Sequence, residues 1–139
     1  MNTQDLLKKG EIRKRSVNIA QARSIIQAAL SAGTFAKETK LDDTSSTPLF
    51  KELYDAFRQL GDAKWWMLGY EAYSHKASIE LLKTAPVNHT QQLQQLSRIQ
   101  KIREDAVYRG LRVSMDETRE LLKLWEQTHK ELIEWIQAE

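Results

Sequence analysis

Apolar residues recur along most of the chain at three- and four-residue steps, the period of an amphipathic helix. In SVNIAQARSIIQAALSAG these positions are Ile19, Ala22, Ile26, Ala29, Leu30 and Gly33, with Ser16 as the expected N-cap. The polar stretch KETKLDDTSSTP that follows reads as a loop. A second helix is expected to open with Thr47 as cap and Pro48 at its first position, where the missing N–H costs nothing. Leu49, Leu53, Phe57, Leu60 and Met67 form one stripe of that helix. Phe50, Tyr54, Gly61, Trp65 and Leu68 form another. It is therefore apolar over a wide arc, which predicts a central position, and Gly69 supplies its stop.

SHKASIELLK begins a further helix at Ser74 and runs to about Thr84, before the break APVNH. TQQLQQLSRIQKIREDAVY carries Leu93, Leu96, Ile99, Ile102 and Ala106 on one face and stops at Gly110. The last helix opens on the capping box SMDE, in which Ser114 reaches forward and Glu117 reaches back. Its stripe is Leu121, Trp125, Leu132 and Ile136, flanked by Leu124 and Trp135. A short segment, TQDLLKK, precedes them all and ends at Gly10. No strand pattern, internal repeat or low-complexity tract is evident. The pattern predicts an all-α fold: one domain over residues 1–139, an up-down bundle of four main helices plus a short N-terminal helix.

Composition narrows the function more than the fold. Hydrophobic residues are 41% of the chain and charged residues 29%, a balance that folds rather than stays disordered. Lys and Arg exceed Asp and Glu by only two, so total charge does not point to nucleic acid; clustering on one face would. The densest cluster is KKGEIRKR, with Lys8, Lys9, Arg13, Lys14 and Arg15. No cysteine is present, which excludes disulfides and thiolate metal sites and suits a reducing compartment. SIIQAALSAGTFA is too short and polar to span a bilayer, and MNTQDLLKKG lacks the apolar centre of a signal peptide. A cytoplasmic protein without membrane association is the expectation.

The three histidines, His75, His89 and His129, stand in separate segments without a paired metal-binding spacing, so no metal is expected. The absence of a glycine-rich phosphate loop and of a nucleophile elbow likewise predicts no cofactor. His129 follows Trp125 by four residues and reads as a hydrogen-bonded core residue or a helix-edge group. Trp65 and Trp66 point about 100° apart on a helix. One belongs in the core, which leaves the other for a subunit contact.

The stretch KIREDAVYRG holds the candidate chemistry. Arg103 follows Ile99 by four residues and Leu96 by seven, which places it on the inner flank of its helix. A guanidinium there needs a carboxylate, a carbonyl or a phosphate, because burying it unpaired is costly. Tyr108 lies about 140° further around. The two reach one cleft if Arg103 extends and the last turn frays before Gly110. Otherwise Arg103 pairs with a neighbouring acid and Tyr108 packs into the core.

GYEAYSHKASIELL, LSRIQKIREDAVYRG and VSMDETRELLKLWEQTHKELIEWI together resemble the HEPN family (higher eukaryotes and prokaryotes nucleotide-binding domain). The resemblance spans most of the chain, is strongest from Gly69 onward and weakest around residues 37–47. It implies a helical bundle that forms a homodimer with a shared cleft and binds RNA or nucleotide. It also implies partnership with a minimal nucleotidyltransferase, in some cases as toxin and antitoxin. The family signature is an Arg followed four to six residues later by a His, which in nuclease members cut RNA without a metal. Here Arg103 takes the Arg position, Glu104 follows where a neutral polar residue is common, and Tyr108 stands for the His. The resemblance thus assigns Arg103 and Tyr108 to a degenerate catalytic pair, and Arg103, Glu104, Arg109 and Arg112 to binding, with little or no nuclease activity. The alternatives are an active metal-independent endoribonuclease toxin, with His75 replacing the missing base, and a purely structural or regulatory module.

Overall fold

The computed structural model describes residues 2–138. Its order is α1 (Thr3–Lys8), β1 (Ile12–Lys14), α2 (Ile19–Glu38), α3 (Ser46–Leu68), β2 (Tyr70–Ala72), α4 (His75–Leu82), α5 (Thr90–Leu93), α6 (Leu96–Tyr108) and α7 (Met115–Gln137). The helices carry the fold, as the periodicity predicts, and no described helix is long and apolar enough to cross a membrane.

The central element is α3. It packs against α2, α4, α6 and α7, and Phe50, Tyr54, Ala56, Phe57, Leu60 and Ala63 have no exposed surface. Both of its predicted stripes are buried up to Trp65, so helices cover it on most sides. Close approach to α4 depends on Gly61, where an added Cβ would stand 2.4 Å from the carbonyl oxygen of Ser78. The indole N–H of Trp65 donates to the Ala77 carbonyl at 3.1 Å, a second link between the same helices. Trp66, its neighbour, is half-buried against the main core.

Several local expectations are corrected. Asn18, not Ser16, caps α2: its side chain accepts the Gln21 N–H at 2.9 Å. The helix then runs through Gly33 to Glu38, two residues into the stretch read as loop. Ser45 is the N-cap position of α3, and Thr47 lies inside the first turn, where its hydroxyl accepts the Val113 N–H at 2.9 Å. The helix expected from Thr90 to Tyr108 is two. Gln94 and Gln95 donate their backbone N–H groups three residues back, to Gln91 and Gln92, which tightens the chain and separates α5 from α6. By contrast, α7 starts on the expected capping box, with Ser114 Oγ accepting from Glu117 N at 3.1 Å and Glu117 Oε1 accepting from Ser114 N at 3.0 Å.

Two strands were not expected. Strands β1 and β2 pair antiparallel with Ile12 opposite Ala72 and Lys14 opposite Tyr70. Ile12 is fully buried with Leu6, Trp65, Ala77 and Leu81, so the ribbon fastens the N-terminal segment over the α3–α4 junction. The basic cluster is largely engaged there. Arg15 pairs with Glu71 at 3.2 Å, and Arg13 and Lys14 lie over the rings of Tyr73 and Tyr70.

The contact at Gly61 yields a prediction. Gly61→Ala forces α3 and α4 apart and should cost about 2 kcal/mol, the usual scale of core overpacking. Urea unfolding should show a lower midpoint with an unchanged slope.

Candidate functional site

Arg103 projects from the inner flank of α6 with its side chain only 17% exposed. Ile99 and Ala106 bury the same face of the helix, which carries the guanidinium inward. Its central carbon lies 5.3 Å from the centroid of the Tyr54 ring on α3, within cation–π range. One terminal nitrogen comes within 3.9 Å of Asp55 Oδ1.

Around this contact three helices supply polar side chains. From α4, His75 approaches Tyr54: the rings are 5.9 Å apart, and Nδ1 stands 3.4 Å from the phenol oxygen. Arg58 follows Tyr54 by one turn of α3. Its Nη1 donates to Asp62 at 2.7 Å, and its Nε lies 3.8 Å from Asp55. Asp62 in turn accepts a hydrogen bond from Ser78 on α4. Glu104 accepts a long bond, 3.4 Å, from Gln100 on its own helix.

The two arginines share one unusual property. Neither Nε atom is exposed, and neither has a hydrogen-bond partner among the described residues. Asp55 is too far from both for a hydrogen bond, though near enough for ionic attraction. Two cationic donors are therefore desolvated and unsatisfied at one place, an arrangement that protein interiors seldom retain without a ligand or a mechanism.

Titration follows from the surroundings. Burial pushes the Tyr54 phenol up to about 12, against the opposing pull of Arg103 and Arg58. Burial likewise raises the Asp62 carboxyl, although its bond from Ser78 and the charge of Arg58 oppose the shift. His75 moves down from the ordinary imidazole value, first through burial and then through repulsion by Arg58 and Arg103; Asp55 and Glu104 pull the other way. At neutral pH its ring is uncharged and able to accept a proton.

The sequence-predicted residues divide into two groups. Arg103 and Glu104 belong to this cluster, and so does His75, which nothing in the sequence had linked to Arg103. Tyr108 does not join them. The last turn of α6 stays intact, with Arg109 N donating to Asp105 O at 3.0 Å, so Tyr108 points elsewhere and is 77% exposed. It therefore neither shares a cleft with Arg103 nor packs into the core. Arg109, 3.9 Å from Asp105, and Arg112 are both exposed.

Tyr54, Asp55, Arg58 and Asp62 were missed as site residues. A signal existed for Arg58: it occupies the slot four residues after Tyr54 in a stripe otherwise filled by Phe50, Gly61 and Trp65. A cation there is either paired or functional. Among the described residues, no group of three His, Asp or Glu side chains is placed to hold a metal ion. No family model, curated protein or solved structure matches the chain.

The direction of the His75 shift fixes a pH dependence. The unfolded chain binds the proton more readily, so stability falls as pH drops below the ordinary imidazole value near 6.5. In His75→Gln, the decline in urea midpoint between about pH 6.5 and 5 should become shallower. An NMR titration should place the His75 midpoint below the ordinary imidazole value.

Proposed function

We propose that the chain is a HEPN-type helical domain, acting as a homodimer, that binds RNA or nucleotide phosphate through Arg103 and Arg58. The observation that carries this reading is the pair of buried guanidinium Nε donors without partners. A phosphate oxygen offers what Asp55 does not: an acceptor able to approach within hydrogen-bond distance of an arginine edge. Glu104 and Asp55 keep the local field near neutral, which favours modest affinity over tight, non-specific polyanion binding. Arg109 and Arg112, exposed beyond the end of α6, extend the basic approach, and Tyr108 offers a face for a base or a partner protein. A minimal nucleotidyltransferase is the partner implied by the family resemblance, in a toxin–antitoxin or other RNA-related role.

One observation favours the second reading, an active metal-independent endoribonuclease. His75 stands beside Tyr54 and within the field of both arginines, with its imidazole held uncharged. Such a ring can take the proton from a ribose 2′-OH as that oxygen attacks the adjacent phosphorus. The bond from phosphorus to the 5′-oxygen then breaks and that oxygen takes a proton from solvent water, while the arginines bear the charge developing on the phosphate.

Binding is tested by fluorescence anisotropy of a labelled single-stranded RNA at low and moderate salt. Arg103→Ala should weaken binding about tenfold, or 1.4 kcal/mol, with the melting temperature nearly unchanged and a shallower salt dependence. A collapse of stability without a separate loss of binding assigns Arg103 to structure instead. A monomeric mass at micromolar concentration contradicts the shared cleft. Absence of cleavage of the same RNA by the unmodified protein removes the nuclease reading, and cleavage that survives His75→Ala removes His75 as its base.

A further inference from the structure

A second polar cleft lies between α2 and α7, on helices that contribute nothing to the arginine cluster. Its volume is about 150 Å³, and its lining includes Gly33, Thr34, Lys37, Trp125, His129 and Lys130. That space accommodates a small organic or phosphate-sized group.

Trp125 forms its floor. The side chain is 3% exposed, and the ring packs edge-on against Phe57 in the core. Its Nε1 edge occupies the place where residue 33 would carry a side chain: an added Cβ at Gly33 would stand 2.4 Å from the indole nitrogen. The Trp65 N–H donates to Ala77, whereas the Trp125 N–H makes no hydrogen bond to the described residues and keeps access to the cleft. Glycine in the middle of a helix is otherwise unfavourable, so Gly33 and the unpaired donor are two sides of one local arrangement.

His129 adds a fixed wall. It stacks on the Trp125 ring at 5.1 Å with a 7° interplanar angle, and its Nδ1 lies 2.7 Å from the Trp125 carbonyl oxygen. That oxygen only accepts, so Nδ1 carries a hydrogen and donates to it. At the rim Lys37 is loosely paired with Glu126 at 3.6 Å, and Lys130 adds a second ammonium. The cleft thus joins a neutral donor at its floor to a rim with two cations and one carboxylate.

We propose that this cleft binds a small oxyanion group, a carboxylate or a phosphate, whose oxygen accepts the Trp125 N–H while Lys130 and Lys37 meet its charge. The site is independent of the arginine cluster and of the function assigned there.

The test follows the indole N–H resonances of the intact ¹⁵N-labelled protein as inorganic phosphate or acetate is added at constant ionic strength. Trp125→Phe assigns the relevant signal. One of the two anions should move the Trp125 resonance saturably in the millimolar range, and the one that does so identifies the group. Lys130→Ala should weaken the effect about threefold or more, and Glu126→Gln should strengthen it, because the rim loses its only carboxylate. Both substitutions are at exposed positions, so the fold is preserved. No saturable shift with either anion, or the same shift with sodium chloride, overturns the proposal. So does an unchanged response in both variants.

Discussion

Because α3 is covered by four other helices, each polar group that it buries must find a partner away from water. Most do so in ways that join helices. Ser46 bonds the Ser114 carbonyl at 2.9 Å and accepts Thr118 as a neighbour at 2.7 Å, which fixes the start of α3 against the start of α7. Lys64 places its ammonium over the Trp135 ring and donates to the Trp135 carbonyl at 3.0 Å, joining the other ends of the same two helices. Asp62 accepts from Ser78 and Arg58. Polar satisfaction under burial is thus the constraint that sets the relative positions of the elements, and dispersion between the apolar stripes then fills the space.

The same constraint leaves one place incomplete. Near the middle of α3, Tyr54 and Arg58 meet His75 from α4 and Arg103 from α6, and here the partners do not suffice for the donors. Low polarity strengthens each interaction inside the cluster. It also explains why the shifts of Tyr54, Asp62 and His75 all favour the uncharged form, since desolvation outweighs the nearby charges in each case. Two arginines and an uncharged imidazole thus meet in a partly exposed polar cluster, in which Asp55 reaches solvent while each arginine Nε is buried.

How much of this was legible in the chain depends on the range of the interaction. Helix interiors follow from local periodicity, and the α7 capping box and the Gly69 stop were readable because their partners lie within a turn. The ribbon was not: three residues are too few for an alternation signal, and Ile12 pairs with Ala72 across the whole of α2 and α3. The break between α5 and α6 escaped for a similar reason, since Gln94 is held by the distant Lys83 carbonyl as well as by Thr90. At the site, spacing placed Arg103 on the inner flank correctly, because that is a property of one helix. It could not bring in His75, which arrives on a different helix, nor remove Tyr108, whose direction depends on whether the last turn of α6 frays.

The two arginines are not equivalent, and the difference bears on which one a ligand would engage. Arg58 spends Nη1 on Asp62, four residues along its own helix, so its guanidinium is oriented by local geometry. Among the described residues, Arg103 makes no such bond. What holds it are the face of Tyr54 and an ionic contact of 3.9 Å, and a cation–π contact uses the flat face of a guanidinium rather than its N–H edge. Its donors therefore stay in plane and available while its charge is still partly met. Asp55 lies 3.8 Å from Arg58 and 3.9 Å from Arg103, while Asp62 pairs with Arg58 alone at 2.7 Å, so Arg103 is the less closely paired of the two cations. An oxyanion bound at Arg103 would leave the Arg58–Asp62 bond that supports α3 in place. Arg103 is thus the residue whose unmet hydrogen bonds can be satisfied by a ligand at least cost to the fold, and Arg58 is the one that holds the surrounding charge in place.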